Sequence, residues 1–258
     1  MHTTPNAPRF TGKTALVTGG GTGLGRAIAR AFAAEGANVV VAGRSRAPLD
    51  ETVALIGRAG GTAAAIAADV SRAEEVRELV RGTVERFGGL DIAVNNAGVF
   101  RGGAPVAELP LEDWQSLLDI NVTGVLLSLQ AQVAHMRANG GGAIVNVSSN
   151  LGAHLRIPGV AGYAASKAAV SALTRAAALD HITDGIRINA VSPGASDSSM
   201  SLRPGESEAE RAVRMKQESP LGRISSGPEV AAAVLYLASD AAASVVGTDL
   251  VIDGGSSA

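Results

Sequence analysis

The chain has no cysteine, which excludes disulfides, thiolate nucleophiles and thiolate metal ligands together and fits a reducing compartment. Its four histidines are scattered, with no pair at metal-ligand spacing, so no transition-metal centre is expected. No uninterrupted apolar run approaches the ~20 residues that span a bilayer. The opening MHTTPNAPRF lacks the charged-then-apolar layout of a signal peptide, so a cytoplasmic location is expected. A net charge of −2 offers no basic field for nucleic acid or a membrane surface. Lysine is scarce as well: there are three lysines against 19 arginines, and only two tyrosines. One tyrosine and one lysine nevertheless sit four residues apart in GYAASKAAV (162–170).

What is present is a globular composition, 46% hydrophobic and 18% charged over 258 residues, enough to bury a large core. Seven short apolar runs read as strands: 14–18, 38–42, 62–68, 90–96, 142–148, 186–192 and 249–253. Most lack polar alternation, as strands covered on both faces do. Between them, three-to-four-residue apolar spacing predicts helices over 24–35, 71–87, 111–138, 163–183 and 228–239. Gly36, Gly88 and Gly140 stand where helix C-caps are expected, and Asp69 to Ser71 at a helix start. This alternation predicts a doubly wound, seven-stranded parallel sheet with helices on both faces, a three-layer α/β/α arrangement in one domain over 1–258. The polar stretch 195–227, flanked by Pro193–Gly194 and Pro228, reads as an inserted lid with a short helix.

After the first strand comes TGGGTGLG (18–25). Gly19, Gly23 and Gly25, with Thr22 and Leu24 among them, form a relative of the dinucleotide fingerprint, which makes the fold Rossmann-like. Glycines let backbone approach a pyrophosphate, and the following helix start offers free N–H groups. The second strand ends in VVVAGRSR. Gly43 stands where an NAD site places an acid, and Arg44 and Arg46 follow. Loss of the acid and gain of guanidinium groups favour NADP(H) over NAD(H).

Further markers follow in order: DV (69–70), NNAG (95–98), Asn121, VSS (147–149), YAASK (163–167) and INAVSPG (188–194). With them the whole chain resembles the short-chain dehydrogenase/reductase family in its single-domain form. The resemblance implies an NAD(P)H-dependent oxidoreductase that interconverts a ketone and a secondary alcohol, with Asn121, Ser149, Tyr163 and Lys167 as the catalytic set. Tyr163 and Lys167 fall on one helix face, a turn apart. A free phenol titrates near ~10, and a nearby ammonium, like the positive nicotinamide, favours the phenolate. Tyr163 is then the acid/base, and Lys167 also reaches the cofactor ribose. The hydroxyl that holds the substrate oxygen comes from Ser149 or from Ser148 beside it. Ser149 fits the local frame but lies fourteen residues before Tyr163, one more than the family's usual spacing, as though the loop carried an insertion. Asn121 interrupts a long helical segment with weakly helical Asn-Val-Thr-Gly, which predicts a local bulge. By resemblance its carbonyl relays protons from Lys167 through water.

The resemblance also places Asp69 and Val70 at the adenine and Asn95, Ala97 and Gly98 along the cofactor wall. Pro193 and Gly194 fall beside the nicotinamide, and Ser198 at its carboxamide. Val99, Asn150, Leu151, His154, Leu155 and Met200 line the expected substrate pocket, with Arg156 as a further polar contact. That lining suits a mid-sized, partly apolar carbonyl compound. Two other readings stay open at this point: a 3-oxoacyl-carrier-protein reductase, and a non-catalytic nucleotide sensor on the same fold. The family's usual interface, helices 111–138 and 163–183, predicts a homotetramer.

Overall fold

The computed structural model describes residues 8–258 except Ser198 and Pro204. The seven expected strands form one parallel sheet: β1 (Thr14–Thr18), β2 (Asn38–Gly43), β3 (Thr62–Ala67), β4 (Ile92–Asn95), β5 (Gly142–Val147), β6 (Ile186–Pro193) and β7 (Asp249–Ile252). Their order in space is β3-β2-β1-β4-β5-β6-β7, so the strand sequence reverses between β1 and β4, the position where open α/β sheets bind ligands. The central strands are buried because their Val, Ile, Leu and Ala side chains meet helices above and below. Ala15, Val17, Val39 and Val41 join Ile28 and Phe32 in one core. Leu16, Val40, Ala93 and Ile144 join Leu129 and Met136 in the other.

Helices α1 (Gly23–Ala34), α3 (Ala73–Phe87) and α9 (Gly227–Ala238) lie within a residue or two of their expected positions. The expected helix over 111–138 is continuous but changes pitch. It runs as α4 (Leu111–Leu117), a π-helical turn (Leu118–Thr123) and α5 (Gly124–Ala138). The bulge expected at Asn121 is therefore there, inside that turn. By length and composition this helix is apolar enough to cross a membrane. Its Leu117, Val125, Leu129, Val133 and Met136 are instead buried in the fold, as in a core helix. Helix α7 (Ala161–His181) carries the Tyr163–Lys167 pair.

Helix α2 (Arg46–Arg58) was absent from the expected set. Only Leu49, Thr52 and Ile56 of its thirteen residues are buried, a stripe too thin to stand out against Arg, Asp, Glu and Gly. Pro48 is tolerated because it lies in the first turn. The short α6 (Asn150–Ala153) is a kinked turn more than a helix, with Leu151 and Gly152 off helical geometry. In 195–226 the two ends pair through a Ser196–Ser225 bridge, and the expected short helix is α8 (Glu208–Glu218). Arg214 ties this segment together, reaching Glu206 at 2.6 Å and Glu218 at 3.0 Å.

Candidate active site

The glycine loop is shaped by close approach. A Cβ on Gly25 would lie 2.1 Å from the Gly19 carbonyl oxygen, and one on Gly19 2.7 Å from Asn96 Nδ2. Any side chain at Gly25 would thus push the loop open. Thr22 stands at the N-cap of α1 without a capping hydrogen bond, and no acid occupies the first turn. The first N–H groups of α1 remain available to an anion, with the helix dipole aligned to hold it. The loop therefore fits a pyrophosphate on its geometry as well as its composition. Two residues that the sequence reading passed over fasten it. Arg26 donates to the Gly21 carbonyl at 2.5 Å and pairs with Glu51 at 2.6 Å. Asn96 Nδ2 donates to the Thr18 carbonyl at 2.9 Å. Gly21 is five residues from Arg26, but Glu51 is 25 and Thr18 is 78 residues from the side chain that reaches it, so spacing along the chain gives little signal of these ties.

The two arginines after β2 separate in the structure. Arg46 is committed to Asp50, 2.8 Å away within α2. Arg44 is exposed at the strand end, and its charge falls on Asp69. Burial alone would raise the Asp69 carboxyl, but hydrogen bonds from Ser71 and the Arg44 and Arg72 charges hold it below its ordinary range. Asp69 accepts from the Ser71 amide at 3.0 Å and its hydroxyl at 2.7 Å, the turn that leads into α3. Val70 is buried against Gly124, where a Cβ would come within 2.9 Å of its Cγ2.

Asn95 turns its side chain away from this cleft. It is buried in an amide network with Gln132 at 3.1 Å and Asn146 at 2.9 Å, and so it supports the adjacent β5. Ala97 donates its amide to Thr18 Oγ1 at 3.1 Å. Gly98 faces the catalytic candidates, since a Cβ there would lie 3.2 Å from Asn121 Oδ1 and 3.4 Å from Lys167 Nζ.

Asn121, Ser149, Tyr163 and Lys167 are all buried, and the structure gathers them at the C-terminal ends of β4, β5 and β6. The Ser149 hydroxyl lies close enough to the Tyr163 phenol to favour its ionised form. Ser148 instead bonds the Lys167 carbonyl at 2.9 Å and Ser171 Oγ at 3.0 Å, pinning β5 to α7. Of the two serines left open by the sequence, Ser149 is the one whose hydroxyl acts on the phenol. Ser149 Oγ also lies 3.5 Å from the Pro193 carbonyl, which brings the Pro193–Gly194 segment to the same place. Lys167 Nζ donates to the Val147 carbonyl at 2.9 Å and lies 5.9 Å from the Tyr163 ring centroid. Asn121 bonds across to the Val99 backbone at 2.8 Å and 3.0 Å and to Ser166 Oγ at 3.0 Å. Ser166 in turn donates to the Tyr163 carbonyl at 2.7 Å.

The electrostatics depart from expectation. Burial pushes the Tyr163 phenol above its ordinary value, and the nearby Ser149 hydroxyl pulls it back only partly. Burial also lowers Lys167 from 10.5 to about 8. Among the protein's own groups, desolvation thus outweighs the phenolate stabilisation expected from the lysine, because both groups leave water together.

Of the expected pocket residues, Val99 and Met200 do line a cleft of about 340 Å³, together with Gly98, Phe100, Arg101 and Leu202. Phe100 packs edge-on against Tyr163, ring centroids 4.9 Å apart; it was not singled out from the sequence, although it lies between Val99 and Arg101. Asn150 and His154 point elsewhere, to Asp253 at 3.2 Å and Asp249 at 3.0 Å. Leu151 and Leu155 bridge each other across the α6 turn. Ser198 lies outside the described residues.

Comparison with known proteins accords with this arrangement. A family model described as Enoyl-(Acyl carrier protein) reductase matches residues 19–257. The 2,5-dichloro-2,5-cyclohexadiene-1,4-diol dehydrogenase of Sphingobium indicum is 42% identical over 248 residues, covering 95% of this chain and 97% of that protein. The 3beta-hydroxysteroid dehydrogenase 1 of Eggerthella lenta is 43% identical over 248 residues, covering 95% and 93%. Among solved structures, a short-chain type dehydrogenase/reductase from Mycobacterium marinum superposes with a TM-score of 0.88 at 38% identity, covering 97% of each chain.

Proposed function

The chain belongs to the short-chain dehydrogenase/reductase family, and on that premise we propose that it interconverts a ring-borne ketone and its secondary alcohol, favouring NADP(H) over NAD(H). The observation that carries this reading is the buried Tyr163 phenol beside the Ser149 hydroxyl, with Lys167 a turn away. Bound nicotinamide supplies the hydride chemistry. Tyr163 gives its proton to a ketone oxygen or takes it from an alcohol. Ser149 Oγ holds that oxygen, and the Lys167 ammonium favours the phenolate and reaches the ribose hydroxyls. Asn121 holds the Val99 backbone that begins the cleft wall, and its carbonyl serves the proton relay. Asp69 and Val70 serve the adenine, and Pro193, Gly194 and Ser198 the nicotinamide end.

The ring preference is supported by the names of the relatives, which act on a cyclohexadiene diol and a hydroxysteroid. The cleft agrees, with Val99, Phe100, Met200 and Leu202 facing a volume suited to a compact apolar body. The segment 195–227, which contributes Met200 and Leu202, acts as its lid. The test is cofactor oxidation with ring ketones, open-chain ketones and a 3-oxoacyl thioester. Ring ketones are expected to turn over fastest; turnover confined to the thioester would replace this reading with the carrier-protein one.

Arg44 supports NADP(H), because it is exposed and makes no ion pair among the described residues at the end of β2, where a 2′-phosphate would lie. A lost charge-assisted hydrogen bond is worth roughly 1.5–3 kcal/mol, or about 10- to 100-fold. Arg44→Asp is therefore expected to lower kcat/KM for NADPH by that factor while improving NADH. Equal losses with both cofactors would return Arg44 to the role of an ordinary surface charge.

A homotetramer is supported by apolar side chains left open on the family's interface helices: Leu126 on α5 is 41% exposed and Leu179 on α7 76%. A sizing column should show four times the 25.8 kDa chain mass, and Leu179→Glu should shift the peak to smaller species. A monomer peak from the unaltered protein would remove this assignment.

A further inference from the structure

The loop that carries Ser149 is held from two sides. On one side it presses on α7: a Cβ at Gly152, whose φ is +128°, would lie 2.6 Å from the Ala164 carbonyl and 2.9 Å from the Ala168 amide. These are neighbours of Tyr163 and Lys167 on the same helix. On the other side it is tied to the last strand. His154 Nε2 lies 3.0 Å from Asp249 Oδ2, and Asn150 Nδ2 donates to Asp253 Oδ2 at 3.2 Å. The turn between them is closed by Leu155 N to Asn150 O at 2.7 Å and Gly152 N to Leu155 O at 2.9 Å.

The Asp249 side chain is only 2% exposed, so its charge needs partners. Besides His154 it accepts from Ser192 Oγ at 2.5 Å, one residue before Pro193. Arg175 approaches it at the outer limit of an ion pair, 4.0 Å. One buried carboxylate on β7 therefore holds both the Ser149 loop and the strand end beside it.

We propose that His154 and Asn150 are positioning residues, tethered to Asp249 and Asp253 so that the loop 149–155 keeps the Ser149 hydroxyl against Tyr163. The residue that lengthens this loop is absorbed by the kink at Leu151–Gly152, and the tethers keep that kink from displacing Ser149. The inference rests on the reductase reading for its kinetic effect but not for its structural one.

Both are measured together. The chain has two tyrosines, Tyr163 and Tyr236, so ¹³Cζ-tyrosine NMR reports on the Ser149 contact without any turnover. In His154→Ala the Tyr163 resonance should shift while that of Tyr236 stays. A misplacement near 1 Å costs up to about 100-fold, so kcat should fall by between about 10- and 100-fold with the cofactor KM within about twofold. His154→Gln, whose amide can reach the same carboxylate, should restore both readings. Asn150→Ala, which cuts only the other tether, should reproduce them if His154→Ala does not fold. An unmoved Tyr163 resonance in a folded tether variant, or a Gln variant as impaired as Ala, overturns the proposal. Wild-type protein without turnover on any ketone would instead sink the reductase reading and leave the NMR result to judge the tether.

Discussion

Tyr163→Phe is expected to lower turnover by about 10²- to 10⁴-fold, the usual worth of a positioned proton donor or acceptor, with little change in folding. The substitution removes one oxygen. It keeps the ring against Phe100, 4.9 Å between centroids, and Ser149 Oγ retains the Leu151 amide at 3.2 Å. Cofactor KM should hardly move, because the loss is confined to the substrate oxygen. Steady-state kinetics and a thermal melt measure the two halves separately. Turnover within about threefold of wild type would mean that another group handles the proton. Burial raises the phenol pKa, so alcohol oxidation in the wild type should climb with pH into the alkaline range, and the mutant should lose that rise.

Lys167→Met should move activity and stability in opposite directions. The lysine is buried and its pKa is lowered from 10.5 to about 8. Below about pH 8 the folded and unfolded chains both carry the proton, and the folded state bears the whole desolvation cost. Between about 8 and 10.5 the unfolded chain binds the proton that the folded one has released, so stability rises with pH. Above 10.5 the cost has gone. The shift corresponds to roughly 3 kcal/mol, less about 1–2 kcal/mol for the Val147 carbonyl left without its donor. Methionine fills a similar volume without charge. The variant should therefore be more stable by about 1–2 kcal/mol at pH 7, become less stable than wild type by about 1–2 kcal/mol above pH 10.5, where only the unpaired carbonyl remains, and lose at least about 10²-fold in turnover. Urea melts at the two pH values decide it. A variant less stable than wild type by the same amount at both would show that Lys167 is a structural donor whose burial carries no such cost. The comparison illustrates why active-site groups work against the stability of the folds that hold them.

Much of the architecture was legible along the chain because it is local. Strands buried on both faces announce themselves as unbroken Val, Ile, Leu and Ala, and a βα junction must place its glycines between strand and helix. The Tyr163–Lys167 spacing is one helical turn whatever the rest of the fold does. The π turn at Leu118–Thr123 was foreshadowed by Asn-Val-Thr-Gly, a local weakness in an otherwise long helix. Helix α2 was missed for an equally local reason: three buried residues in thirteen leave little apolar period to detect.

The sequence by itself thus determined the order of the elements, the sheet type and the chemical identity of the groups at the site. Tertiary structure decided which of these groups meet. It turned Ser148 into α7 and Ser149 toward the phenol, sent Arg46 to Asp50 and left Arg44 open. It also took His154 out of the pocket and bound it to Asp249, 95 residues away. Periodicity and spacing describe neighbours along the chain. The orientation of a side chain at the end of a strand is set instead by whichever distant residue offers the compensating hydrogen bond or charge once both are buried.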